Sequence, residues 1–251
     1  MKKRSFFWID LTAVILLLLA ACTWFSWSGR LSRSGPPQGL EFTAEGAKAL
    51  PAFHALQVSG LADITLHTGT EGEYRAVLRG GSNAENLRIS VRGGTLHIAN
   101  RRGTWFWPSS VKHTIDIYCP EIKDISLSGA GNIYLEKTAK AAGFTAHISG
   151  AGTIQGEVDC ERLKVSLSGA GSFKISGQCA QADISLSGAG AFEGKELVAQ
   201  DARVSVSGVG SVYIYTEKTL DARLSGVGNI NYGGNPRITE KKSGLGTLKP
   251  F

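Results

Sequence analysis

Residues 164–173 read KVSLSGAGSF, and the same phrase returns along the chain. Before it stand ISLSGAGNIYL at 125–135 and AHISGAGTIQG at 146–156. After it come ISLSGAGAFEG at 184–194, VSVSGVGSVYI at 204–214, ARLSGVGNINY at 222–232 and a worn copy, KKSGLGTLK, at 241–249. The signature serines are Ser128, Ser149, Ser168, Ser187, Ser207, Ser225 and Ser243, spaced by 21, 19, 19, 20, 18 and 18 residues. Self-similarity at a period near 20 residues is the mark of a solenoid and outweighs local propensity.

Within each copy the residues one and three before the serine are apolar, as in Leu167 with Val165 or Leu186 with Ile184. Those between them, such as Ser166 and Ser185, are polar. This alternation is a strand with one buried face. The two glycines after the serine bracket Ala or Val and mark a corner, where positive φ or close backbone approach is needed. Five after the serine stand Ile133, Ile154, Phe173, Phe192, Val212 and Ile230, opening the next buried strand. One coil cannot bury its apolar face alone, whereas stacked coils merge theirs into one core. The expected fold is all-β: a single-stranded, right-handed parallel β-helix with coils of 18–21 residues. An antiparallel meander with two strands per repeat is the competing architecture.

Stacking makes two columns testable. Four before the serine lie Asp124, Thr145, Lys164, Asp183, Arg203 and Asp221, whose charge alternates from Lys164 onward. Opposite charges on neighbouring coils attract and like charges repel, so the column favours one register. Eight before the serine lie Cys160 and Cys179. Stacking brings them within disulfide range, leaving either a disulfide or two buried thiols.

The N-terminus is a targeting segment. Lys2, Lys3 and Arg4 precede an apolar run from Leu11 to Ala21, and Leu19-Ala20-Ala21-Cys22 resembles a lipobox. That resemblance implies cleavage before Cys22 and acylation of its thiol, an anchor strong enough to hold the chain on a membrane. The charge-free stretch Leu11–Gly29 is 19 residues long, so an uncleaved transmembrane helix is the alternative. Either way the body lies outside the cytoplasm, in a bacterial cell envelope. Residues 1–21 (or 1–28 for an uncleaved anchor) are then the export segment, and residues 22–50 are a linker. Residues 51–251 are the solenoid, with irregular opening coils over 51–118, the repeats over 119–235 and a C-terminal cap over 236–251.

The formal charge is +6, falling to +4 when residues 1–21, with three cations and Asp10, are removed. The cations are scattered, without the basic runs and interleaved aromatics of a nucleic-acid binder. The four cysteines and five histidines show no zinc spacing, and no GxSxG elbow occurs. No metal, cofactor or catalytic residue is therefore assigned. Asp183 and Asp221 share a column but have Arg203 between them, a charge ladder more than an acid–base pair. Before the repeats, a diverged signature sits at Ser59-Gly60, and Gly93-Gly94 reads as a tight turn. Trp105, Phe106 and Trp107 lie between two strands, as a ligand or membrane contact or as a flap over the open core.

The ordered set FHALQVSGLADITL, RISVRGGTLHI, IYCPEIKDISLSGAGNI and the SGAG/SGVG copies resembles the auto-transporter adhesin head domain, or GIN domain, of bacterial envelope proteins. The resemblance covers roughly residues 50–235. It implies a β-helical fold and export, and brings no catalytic residues with it. The TWFWP segment departs from the family pattern. The resulting expectation is a non-enzymatic, membrane-tethered binding scaffold whose partner is an envelope protein or a glycan, with Arg203, Arg223 and the Trp105–Trp107 cluster as candidate contacts. A structural spacer and a polysaccharide-acting β-helix enzyme are the alternatives.

Overall fold

The computed structural model describes residues 40–41, 47–70, 72–80, 87–100 and 113–251. Among them every regular element is a strand, and no helix is long and apolar enough to cross a membrane. Cys22 and Trp105–Trp107 lie outside the described residues.

The repeats form as their spacing predicts. Strand β9 (Asp124–Leu127) and β10 (Ala130–Leu135) open the series, followed by β11 (Ala139–Ile148). Four long strands then each make most of a coil: β12 (Ala151–Leu167), β13 (Ala170–Leu186), β14 (Ala189–Val206) and β15 (Val209–Leu224). A last coil contains β16 (Val227–Gly233), β17 (Arg237–Lys242) and β18 (Leu245–Pro250). All these pairings are parallel and join a coil to the next. Ser166 pairs with Ser185, Ser185 with Ser205, and Phe173 with Phe192. The meander is thereby excluded.

Burial follows the alternation. Leu167, Val165 and Phe173 are fully inside, as are Ile184, Phe192, Val204 and Val206. They belong to one continuous core running through the stack.

The corners explain the glycines. Ser168 and Gly169 donate their backbone N–H groups to the Ile148 carbonyl at 2.8 and 3.3 Å, and Ala170 donates to Gly150 at 2.9 Å. Corner thus hydrogen-bonds to corner. A Cβ on Gly188 would lie 2.7 Å from the Ser168 carbonyl carbon and would overlap the Gly169 carbonyl oxygen. Close approach, more than backbone conformation, excludes other residues there; Gly131 adds a positive φ of 144°.

The N-terminal part departs from the expected opening coils. Strands β3 (Ala55–Val58) and β4 (Ala62–Thr68) do form a first coil, stacked directly under β9 and β10. Ser128 donates its N–H to the Val58 carbonyl at 2.8 Å, so Ser59-Gly60 is a true corner. The chain then runs outward and doubles back. Strands β5 (Arg75–Gly80) and β6 (Leu87–Arg92) come next; β6 turns at Gly93-Gly94, both at positive φ, into β7 (Thr95–Asn100), which precedes β8 (His113–Cys119). Strands β7 and β8 lie parallel on β3 and β4, while β5 and β6 pair antiparallel with β8 and β7. The short β1 (Leu40–Glu41) and β2 (Ala47–Ala49) add antiparallel to β6 and β5. The first coil is therefore sandwiched between β7–β8 and β9–β10, and the stack ends in an antiparallel cap. Reversing direction there closes the core without exposing a parallel edge as the next template.

At the other end, β17 sits in register on β15 with every residue exposed. Lys242 pairs with the buried position of Leu224, and Glu240 with that of Ala222. Charges at core positions blunt this edge.

Candidate functional site

Alternation turns every second side chain outward, and stacking aligns these into columns along the solenoid. The column four before the serine is in register throughout: Asp124–Thr145–Lys164, then Asp183, Arg203, Asp221 and Thr239. Arg203 Nε lies 3.6 Å from Asp221 Oδ2, and Arg223 Nη2 reaches the same oxygen at 3.0 Å. The two arginines singled out in the sequence thus converge on one carboxylate. Exposed pairs of this kind contribute about 0.2–1 kcal/mol each, so their effect is on register and surface charge more than on stability. Lys164, Asp183, Asp201, Arg203, Thr219 and Asp221 line a shallow groove of about 420 Å³. Thr219 Oγ1 donates to Asp201 Oδ1 at 2.5 Å along one side of it. Asp183 and Asp221 lie two strand spacings apart, about 9–10 Å, with Arg203 between them.

Cys160 and Cys179 are register partners, as their spacing predicts. Both side chains are buried and unbridged in the structure. Burial, then the charge of Asp159, pushes the Cys160 thiol up to about 11. Burial, then the neighbouring Cys160, pushes Cys179 up to about 12. Burial and the raised pKa both disfavour the nucleophilic thiolate at either site.

Two clusters escaped the sequence reading. On the outer face of β4 and β8, the His67 ring stacks on Tyr118 at 4.3 Å between centroids. Its Nδ1 meets Glu136, and its Nε2 lies 3.7 Å from Asp116. Arg79 donates to Asp116 at 2.5 Å, and the Arg75 guanidinium sits 4.0 Å above Tyr118. This network fastens the cap to the first repeat. A signal for it existed: His67 is eight residues after Ser59, and Glu136 eight after Ser128. The second cluster surrounds Asp124 in a groove of about 610 Å³. Burial raises the Asp124 carboxyl, while His147 and His54 act in the opposite direction. Among the described residues, Asp124 is the one carboxylate lining that groove.

A third groove, of about 680 Å³, lies on the other arm of the coil, along Tyr134, Gln155, Lys174, Glu193 and Tyr213. Each is the register partner of the next. Lys174 Nζ lies 3.7 Å from Glu193, and Lys195 Nζ sits 4.6 Å from the Tyr213 ring centre.

The arrangement is one of outward columns and open grooves. The family described as "Putative auto-transporter adhesin, head GIN domain" matches residues 52–236. The chain belongs to this family. Among solved structures, this GIN domain is similar to a "putative adhesin" of Bacteroides fragilis, with 25% identity and a TM-score of 0.73 over 83% of this chain and 96% of that one. A "putative lipid binding protein" of Parabacteroides distasonis, at 17% identity and TM-score 0.63, shares the fold over 83% and 96% of the two chains. So does a "putative adhesin" of Parabacteroides merdae, at 16% identity and TM-score 0.62 over 83% and 95%. No curated protein matches the chain.

Proposed function

We propose that this GIN domain is a non-enzymatic binding scaffold, tethered to a membrane of the bacterial cell envelope and presenting its outward columns to a glycan or protein partner. The observation that carries this reading is the unbroken register of the Lys164–Asp183–Arg203–Asp221 column over four coils. A face built this way is rigid before a partner arrives, so little ordering cost is added on binding. Family membership supports the adhesin-like part of the reading. The N-terminal segment with Cys22 supports export and tethering.

The test is binding of the purified, labelled chain to intact bacterial cells and envelope fractions. Replacing Arg203 and Arg223 together by Ala is expected to weaken that binding several-fold without changing the melting temperature. Unchanged binding would remove this column from the contact surface. Turnover on a glycan panel, lost in an Asp124→Asn variant, would instead make the protein an enzyme. Intact mass and acyl labelling of wild type and Cys22→Ala from native membranes test the tether. A cleaved, acylated wild type and an unmodified variant are expected for a lipoprotein. Identical uncleaved chains would mean a transmembrane anchor.

A further inference from the structure

The groove on the Tyr134 arm is built by unequal coils. Strand β14 carries Lys195, Glu196 and Leu197 between Gly194 and Val198, where β15 passes directly from Ile214 to Tyr215. The surplus is out of register, and Lys195 and Glu196 are exposed on it. Lys195 is pinned by the rings of Tyr213, at 4.6 Å, and Phe251, at 5.6 Å, which fixes this ledge as one wall. From Tyr213 the floor runs back over Glu193, Lys174 and Gln155 to Tyr134. That is four strand spacings, about 19 Å along the solenoid axis.

The groove holds groups that folding leaves unused. Tyr134 is 45% exposed, and among the described residues its ring has no aromatic or cationic partner. The side chains of Gln155, Glu157 and Glu196 line the same groove with no hydrogen-bond partner among the described residues. A flat aromatic face followed in register by the Gln155 amide, with the Glu157 carboxylate beside it on the same strand, is complementary to a chain of sugar rings. A C–H face stacks on the tyrosine, hydroxyls donate to the carboxylates, and the amide donates and accepts. Charge narrows the class. Glu136, Glu157, Glu193 and Glu196 outnumber Lys174 and Lys195 along the groove, which disfavours an anionic chain.

We propose that this groove binds an extended, uncharged polysaccharide chain lying along the solenoid axis, with Tyr134 as the stacking platform and Gln155 and Glu157 as hydroxyl partners. The inference rests on the reading of the protein as a binding scaffold, and it names the ligand class and a face separate from Arg203 and Arg223.

The test is isothermal titration calorimetry of the full chain with three neutral hexasaccharides: β-1,4-glucan, β-1,4-mannan and chitohexaose. Hexagalacturonate serves as the anionic comparison and an extended decapeptide pool as the peptide comparison. At least one neutral hexasaccharide is expected to bind saturably. Its affinity is expected to fall about tenfold in Tyr134→Ala, by a smaller factor in Gln155→Ala, and not at all in Arg237→Ala, an exposed residue of the last coil. Hexagalacturonate is expected to bind at least tenfold more weakly. Lack of binding by all three neutral chains at millimolar concentration would overturn the assignment. So would binding that Tyr134→Ala leaves intact, or a Tyr134-dependent preference for hexagalacturonate or peptide. If the groove fails but labelled chain still binds cells through Arg203 and Arg223, the scaffold reading survives. Loss of both means that neither holds.

Discussion

In the repeats, Phe173 packs against Phe192 across one coil step, their rings tilted with centroids 6.5 Å apart, and each corner glycine lies on the carbonyl of the one before. In the cap, β5 and β6 run against β8 and β7, and the joint to the repeats is fastened by His67, Asp116, Arg79 and Glu136. The repeats need few specific side-chain pairs, because any coil that matches its neighbour is held by the same backbone ladder. Among the described residues the cap has no such neighbour on its outer side. It reverses strand direction and uses a polar network peculiar to its own residues. One region is specified by self-similarity and the other by individual contacts, so substitutions should act on the two in different ways.

The largest effects are expected inside the repeats. Phe173→Ala removes a fully buried ring and should cost about 3–5 kcal/mol, read as a drop in the denaturant midpoint at constant slope. Gly188→Ala forces a Cβ into the previous corner and should cost about 1–3 kcal/mol or more, although it adds apolar surface. An unaltered midpoint for Gly188→Ala would mean that the corners are not stacked.

In the cap the expected effect is local. Asp116→Ala leaves Arg79 without its carboxylate and His67 with one partner fewer. Hydrogen exchange should quicken in β5 and β8 and stay unchanged in β13 and β14. Equal acceleration in both regions would merge them into one cooperative unit.

Titration should separate the regions as well. The His113 ring, in the cap, is buried, and desolvation lowers its pKa from the usual 6.5. The unfolded chain then takes up the proton first, so this contribution to stability is present above about 6.5 and is lost as the pH falls through the lower folded value. The buried thiols act in the other direction. With pKa values raised to about 11 for Cys160 and about 12 for Cys179, their contribution is intact below the ordinary thiol range. It is lost as the pH climbs from about 9 towards 12. His113→Gln should flatten the acid limb of a stability–pH curve, and Cys160→Ala with Cys179→Ala the alkaline limb. The smallest effect is expected for Arg203→Ala, a change in stability of at most about 1 kcal/mol, because its pair with Asp221 is exposed and screened.

The same contrast decides what was legible in the sequence. Seven serines at near-constant spacing were enough to place Val165, Leu167 and Phe173 inside and to align Lys164 with Asp183 and Cys160 with Cys179. Strands β7 and β8 alternate as expected, but nothing in their own pattern says that they slip beneath the first coil. That position depends on long-range pairing with β3 and β4. The His67 cluster was hidden for the same reason, and only the offset from Ser59 pointed to Glu136. The Tyr134 groove depends on a surplus of residues in β14, and the spacing of 20 before Ser207 showed that surplus without showing where it bulges.

Corner-to-corner stacking is the feature on which the columns, the grooves and the ligand reading all depend. The most direct measurement is residue-resolved amide exchange at Ser168, Gly169 and Ala170. Their N–H groups bond to Ile148 and Gly150 one coil earlier and should exchange as slowly as the core amides of Val165 and Leu167. Fast exchange at these three, beside slow exchange at their neighbours, would make the SGAG segments solvent-exposed turns and contradict the solenoid.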